Sequence, residues 1–414
     1  MELLRFFTAG NVDDGKSTLI GRLLFDSKSI STDIIETLTR QTKNKNNETD
    51  IDLALLTDGL RAEREQGITI DVAYKYFTTD KRKFIIADTP GHIQYTRNMF
   101  TGASNADLAI ILVDARNGIT DQTKRHSILS SILGIPHLVV CINKMDLVDF
   151  SQSRFEEIKQ EYLNFAERLN LKEIYFIPVS ALQGDNVVSN SGKMSWYNGK
   201  PLLQHLEDVV IESPDQSQLS RFQVQYVIRP QTDDLHDYRG FAGQVKSGVF
   251  KVGQKVKVLP ANIETTLTKI ESNLSELPEL GKDRPAVFHL ADDIDVSRGN
   301  AIVALDQLPK SEKEFTATLC WMDNAPYQAG QKFLIQHGSH RSKAMLKEIQ
   351  AKIDIHTFDQ KESDGELKLN DICKVLIKTA EAVNFDSYAV NRSTGSFIII
   401  NENTNNTVAA GTID

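Results

Sequence analysis

The chain has 414 residues, a quarter of them charged, with a formal net charge of −9 and a sequence pI near 5.6. That length exceeds one ordinary hydrophobic core, so two or three domains are expected. The acidic balance argues against general binding to a nucleic-acid backbone, no apolar run approaches the roughly 20 residues that cross a bilayer, and the first strand begins too early to leave room for a signal peptide. Cys141, Cys320 and Cys373 lack metal-ligand spacing and read as free thiols of a reducing compartment, so a cytoplasmic protein is expected, bound to neither membrane nor nucleic acid.

Up to about Ile211, short β-rich runs (LLRFFTA, VAYKYFTT, KFIIAD, LAIILVDA, LVVCIN, IYFIPVS) alternate with helix-period segments (KSTLIGRLLF, DQTKRHSILSSILG, SRFEEIKQEYLNFAERL). This pattern predicts an α/β domain over residues 1–212, a mostly parallel sheet with helices on both faces. Cys141, inside LVVCIN, reads as a core residue. A long insert runs from Lys28 to Glu65, with two helix-compatible runs split by the polar KNKNNET. It lies where a nucleotide-sensing switch would be; a solvated linker is the other reading.

The polar stretch ESPDQSQLS, Glu212 to Ser220, reads as a linker. Beyond it FQVQYVIRP, GFAGQVKSGVF, QKVKVLP, TTLTKIES and NAIVAL are short, alternating and bounded by Gly or Pro, which predicts a small all-β barrel over residues 221–309. A second all-β barrel is expected over 310–414 from FTATLCWM, QKFLIQHG, SKAMLKEIQAKID, DICKVLIKT and GSFIIINE. The Asn-rich NENTNNT reads as a turn before a last strand, Thr407 to Ile413.

The chemistry is carried by five short segments in the first domain. Gly10, Asn11, Val12, Asp13, Asp14, Gly15, Lys16, Ser17 and Thr18 match a phosphate-binding loop placed between a strand and a helix. Its glycines permit a tight turn whose N–H groups face phosphate, Lys16 adds a point charge for the β- and γ-phosphates, and the Ser17 hydroxyl can ligate Mg2+. In Asp88, Thr89, Pro90, Gly91 and His92 the carboxylate at the strand end suits magnesium held through water, and the Gly91 N–H can reach a γ-phosphate. His92, directly after that glycine, is placed to orient an attacking water. Asn143, Lys144, Met145 and Asp146 close an apolar strand, and Asn143 with Asp146 can read the guanine edge, where adenine offers no matching donor pair. Alone this tetrapeptide could cap a helix; after a phosphate loop it selects GTP. Ser180, Ala181 and Leu182 are too short to count independently, with the Ala181 N–H positioned for the guanine oxygen.

Together with GITI (Gly67 to Ile70) and two following β-barrels, these motifs resemble the translational-factor class of GTPases. The resemblance implies that Thr69 ligates magnesium in the GTP state, that His92 is catalytic, that Val12 and Ile68 form an apolar gate before it, and that Asp13 helps hold a monovalent cation near the phosphates. NVDDGKSTLIGRLLFDS, LALLTDGLRAEREQGITIDVAYKYF, KRKFIIADTPGH, QYTRNMFTGAS, HLVVCINKMDLVD, YRGFAGQVKSG, DIDVSRGNAI and NRSTGSFIIINENTNNTVAAGTI further resemble the large, GTPase subunit of bacterial sulfate adenylyltransferases. That resemblance spans essentially the whole chain. It implies GTP hydrolysis coupled to a small catalytic adenylyltransferase subunit that joins ATP and sulfate into adenosine 5′-phosphosulfate and pyrophosphate, in a heterodimer or a multiple of it. An elongation-factor-like protein delivering aminoacyl-tRNA is the alternative. Two departures stand out: Ile93 follows His92 where the family leads one to expect Glu, and the chain runs from an early first strand to Asp414 without the fused adenylylsulfate kinase of some relatives.

Overall fold

The computed structural model describes residues 2–30, 33, 53, 69, 71–91, 96–169, 171, 173–211, 219–230, 238–354, 358–363 and 365–414. The insert expected to act as a switch therefore lies almost wholly outside the described residues, as do most of the expected linker and His92. The chain divides into two compact units, Met1–Ile211 with Asp354–Asp359, and Glu212–Ile353 with Gln360–Asp414.

The first unit is built on a six-stranded sheet of order β2-β3-β1-β4-β5-β6. Its strands are β1 (Glu2–Ala9), β2 (Ala73–Thr78), β3 (Arg82–Asp88), β4 (Leu108–Asp114), β5 (His137–Asn143) and β6 (Glu173–Pro178). The β1/β3, β1/β4, β4/β5 and β5/β6 pairs are parallel, and only β2 runs against its neighbour. A parallel return needs a crossover of a dozen or more residues, and just three separate β2 from β3, so a hairpin is the only connection available. The Thr79 N–H closes it on the Arg82 carbonyl at 3.0 Å, while the Thr79 hydroxyl accepts from the Arg82 N–H at 3.3 Å.

Every side chain of β4 is buried, which its unbroken apolar run LAIILV foreshadows for a central parallel strand covered on both faces. Cys141 is buried in the same core with Phe6, Leu19, Leu23, Ile86 and Leu112. Helices α1 (Lys16–Asp26), α2 (Thr96–Ala103), α3 (Asp121–Ile132), α4 (Gln152–Ala166) and α5 (Leu202–Asp208) accompany the strands. Thr120 starts α3 with a capping box shared with Thr123, and the Ser151 hydroxyl caps α4. Strand order reverses around β1, since the chain goes first to β3 on one side and then to β4 on the other. Ligands of such sheets sit at that crevice, outside the carboxyl ends of the strands.

The second unit holds two closed, antiparallel barrels. The first takes the order β10-β15-β7-β8-β14-β11, from β7 (Arg221–Ile228), β8 (Gly240–Ser247), β10 (Lys255–Leu259), β11 (Ile263–Ser272), β14 (Pro285–Leu290) and β15 (Ala301–Ala304), and the β10–β11 pairing closes it. The two-residue β12 (Ser275–Glu276) hangs on β11, and β9 (Val249–Lys251) pairs with β13 (Glu279–Gly281) as a separate ribbon. Phe222 and Phe288 stack at its centre, 3.9 Å between ring centroids, with Phe250 edge-on to both. The second barrel runs β17-β21-β22-β16-β20-β18 and closes through β17–β18, with β19 (Gln360–Glu362) appended to β18. Its strands are β16 (Lys310–Trp321), β17 (Lys332–His337), β18 (His340–Ile353), β20 (Ile372–Phe385), β21 (Ser396–Asn401) and β22 (Thr407–Ile413), around Trp321, Phe333 and Phe385.

The barrels are joined by buried polar contacts. Arg221 of the first meets Asp386 of the second in a two-pronged ion pair, 2.9 Å on each prong, with side chains 4% and 7% exposed. The Asn391 amide donates to the Ser247 hydroxyl at 2.8 Å, and the Ser339 hydroxyl donates to the Val224 carbonyl at 2.9 Å. Among the described residues no helix is long and apolar enough to cross a membrane.

Candidate functional site

The phosphate loop leaves the end of β1 and enters α1 through backbone that only certain residues tolerate. Asp13 has φ +70° and Gly15 φ +88°. A Cβ on Gly15 would lie 2.5 Å from the Asn143 amide nitrogen, so glycine is required there both by conformation and by space. The turn is braced from inside: the Asn11 N–H donates to the buried Asp14 carboxyl at 2.7 Å, and the Val12 N–H to the Asn11 side-chain oxygen at 2.9 Å. Burial pushes the Asp14 carboxyl up to about 7; the Asn11 N–H opposes the shift and the charge of Asp114 adds to it. Ser17 and Thr18 sit half-buried in the first turn of α1, and the Leu19 N–H returns to the Gly15 carbonyl at 2.9 Å.

Lys16 ties the loop to the neighbouring strand. Its ammonium pairs with the Asp88 carboxylate at the end of β3 and donates to the Thr69 hydroxyl at 2.8 Å. The Thr69 and Asp88 oxygens thus converge on one point beside the loop that carries Ser17. A hydroxyl and a carboxylate are hard oxygen donors, the kind that suits Mg2+. Asp13, expected beside a monovalent cation, is exposed. After Asp88, the Thr89 hydroxyl donates to the Thr8 carbonyl at 2.7 Å, and Pro90 and Gly91 are buried. Gly91 passes so close to the phosphate loop that a Cβ would lie 2.3 Å from the Gly10 carbonyl oxygen. His92, Ile68 and Ile93 lie outside the described residues.

The base-side segments are stitched into the same loop by Asn143. Its amide donates to the Asp14 carbonyl at 2.7 Å, and its oxygen accepts from the Ala181 N–H at 2.9 Å. Both polar ends of Asn143 and the Ala181 N–H, which the sequence alone suggests would face guanine, are therefore engaged within the protein. Asn143 acts in this structure as a brace linking three motifs. Lys144 follows with φ +61°, and Met145 is buried. Asp146 accepts from the Ser180 hydroxyl at 2.6 Å through one carboxylate oxygen. Leu182 is 67% exposed. Arg22, from α1, donates to the Ala181 carbonyl at 3.2 Å and also reaches the Leu182 carbonyl, holding that turn from below.

One member of the site carries no motif. Asp114 ends β4 directly opposite Asn143 in the sheet and is 2% exposed. Its carboxylate receives Arg116 through the backbone N–H (2.9 Å), Nε (3.1 Å) and Nη2 (2.7 Å), and Lys144 Nζ at 3.0 Å. Burial works to raise its pKa, but the Arg116 and Lys144 contacts prevail and hold it down near 2. The sequence signal was faint: an Asp at the end of an apolar strand with Arg two residues on, a pattern too common to mark a site.

Known proteins bear on this arrangement. The family model of the elongation factor Tu GTP binding domain matches residues 1–225, and that of the GTP-eEF1A C-terminal domain-like family matches 314–414. Sulfate adenylyltransferase subunit 1 of Teredinibacter turnerae is 51% identical over 411 residues, covering 99% of this chain and 87% of that protein. The Bacteroides fragilis subunit 1 is 50% identical over 413 residues, 100% of this chain and 86% of the relative. The bifunctional enzyme CysN/CysC of Mycobacterium tuberculosis is 49% identical over 412 residues, 99% of this chain and 67% of the relative. A phosphate loop braced to a guanine-type motif, two antiparallel barrels later in the chain, and near-half identity along the whole length together make this chain a member of the translational GTPase family, within its sulfate adenylyltransferase subunit 1 branch.

Proposed function

We propose that the chain binds GTP with magnesium, hydrolyses it, and through that turnover drives the joining of ATP and sulfate in a small catalytic partner subunit. The observation that carries this reading is the meeting of Lys16, Thr69 and Asp88 at the carboxyl edge of β1 and β3, in a chain half identical to sulfate adenylyltransferase subunit 1. The loop N–H groups and Lys16 would cradle the phosphates, with Ser17 and Thr69 as direct magnesium ligands and Asp88 as a ligand through water. Bound magnesium would neutralise charge on the β- and γ-phosphate oxygens. Asp146 would accept from the guanine N1–H and amino group, and His92 would orient the attacking water. Phosphoryl transfer asks the protein for positioning and electrostatic stabilisation more than for a strong base, which suits a histidine in that role.

The physical reason for the pairing lies in the product. Adenosine 5′-phosphosulfate contains a phosphoric–sulfuric anhydride, so its formation from ATP lies uphill. Coupling to a GTP-dependent switch supplies the missing driving force. The partner is a small adenylyltransferase subunit, in a heterodimer or a multiple of it. The purified chain should hydrolyse GTP slowly and release no pyrophosphate from ATP and sulfate; adding the small subunit should make pyrophosphate release depend on GTP. Sulfate activation by the isolated chain would overturn this division of labour. GTP-dependent, salt-sensitive retention of aminoacyl-tRNA would instead point to a delivery factor.

A further inference from the structure

A buried carboxylate is retained only where its surroundings compensate its desolvation, and Asp114 is compensated by two cations at once. Both belong to the nucleotide side of the sheet. Lys144 sits inside the guanine-type motif, in a left-handed conformation (φ +61°) that an ordinary side chain adopts only when its surroundings over-determine it. Arg116 is half exposed, and its charged form is favoured first by Asp114 and then by the carboxylates of Asp13 and Asp146. Its guanidinium therefore feels negative charge from both the phosphate loop and the guanine-type motif. The turn that carries it is locked from behind. Arg154 of α4 donates to the Ala115 carbonyl at 2.7 Å and to the Arg116 carbonyl at 3.2 Å, the Ala115 N–H donates to the Asn143 carbonyl at 2.8 Å, and the Gly118 N–H donates to the Asp114 carbonyl at 2.9 Å.

We propose that Asp114 is a positioning residue that holds Lys144 and Arg116 as a two-cation clasp beside the bound guanine nucleotide, and so sets how slowly that nucleotide leaves. The inference rests on the nucleotide reading of the site given above. Asp114 itself need not touch the ligand. It fixes one cation within the base-reading motif and a second on the turn after β4, so that loosening that motif requires breaking charge-assisted hydrogen bonds to a buried carboxylate.

The test is the release of GDP carrying a fluorescent N-methylanthraniloyl label, followed by stopped flow in the full chain. Asp114→Asn keeps the shape and removes the charge; it should speed release about tenfold or more. Arg116→Ala should speed it several-fold, Arg116→Lys should fall between Arg116→Ala and wild type, and association should change less than release. The half-exposed Arg116 variants should keep the nucleotide-free melting temperature, so the result survives a folding failure of Asp114→Asn. Release from both Arg116 variants within about twofold of wild type overturns the clasp, whatever Asp114→Asn does. If instead the wild-type chain binds no labelled GDP, or Lys16→Ala binds it equally well, the underlying nucleotide reading has failed.

Discussion

Removing Asp386 should unlock the barrel unit, and the size of the effect follows from what is left behind. In the native unit the Arg221 guanidinium has two prongs on Asp386 and one contact, at 3.1 Å, with the Ser220 carbonyl. Asp386 also receives the Thr394 hydroxyl at 2.7 Å and the Asn391 amide at 3.4 Å. Asp386→Ala therefore strands a cation whose side chain is 4% exposed and frees two further donors. Breaking a buried pair from one side costs about 3–5 kcal/mol. For a unit of this size, that lowers the urea midpoint by about 1–2.5 M at an m-value near 2–3 kcal/mol/M. The probe is built in: of the two tryptophans, Trp321 lies in the core of the second barrel, so a Trp196→Phe background makes fluorescence report on the barrel unit alone. Replacing both partners, as in Arg221→Met with Asp386→Leu, should recover most of the loss, because no charge is then buried. An Asp386→Ala midpoint within about 0.3 M of wild type would refute the claim that this pair is desolvated and coupled.

Asp14→Asn should alter the pH dependence of stability. The folded carboxyl titrates near 7 and the unfolded one near 3.8, so its contribution is fully present below pH 4 and is lost progressively as pH rises to 7. The amide should remove that slope and leave the variant more stable than wild type above pH 7, by up to about 4 kcal/mol, seen as the difference between their melting temperatures across pH. Gly91→Ala must displace either the phosphate loop or the segment after β3, since its Cβ would meet the Gly10 carbonyl at 2.3 Å. GTP affinity measured by titration calorimetry should fall about tenfold or more.

Legibility in the sequence followed locality. The phosphate loop, the Asp88 turn and the Asn143 tetrapeptide were readable because each packs its chemistry into a few consecutive residues, and the buried run of β4 announced a central strand. The hairpin of β2 and β3 was readable in principle, since three residues cannot make a parallel crossover, although the β-rich runs alone give no direction. Asp114 and Arg116 escaped because their meaning lies in a partner 30 residues away, Lys144, brought alongside by parallel pairing of β4 and β5. The same holds for Asn143: its residue type suggested base reading, while its two hydrogen bonds depend on where Asp14 and Ala181 come to rest. The barrels close through local hairpins, β10–β11 and β17–β18, but pairs such as β7–β15 and β16–β20 and the Arg221–Asp386 contact join positions too distant for any local pattern to record.

Closure of both barrels bears on solubility. An open sheet presents a row of unpaired N–H and C=O groups that can recruit strands from other molecules, and closing the sheet removes that row. Among the described residues, the open edges that remain in the barrel unit are the stubs β12 and β19 and the ribbon strands β9 and β13, two or three residues each and too short to template an extended strand. The barrel unit is therefore protected against edge-to-edge aggregation by its own topology, even where a chain is made in excess of its partner.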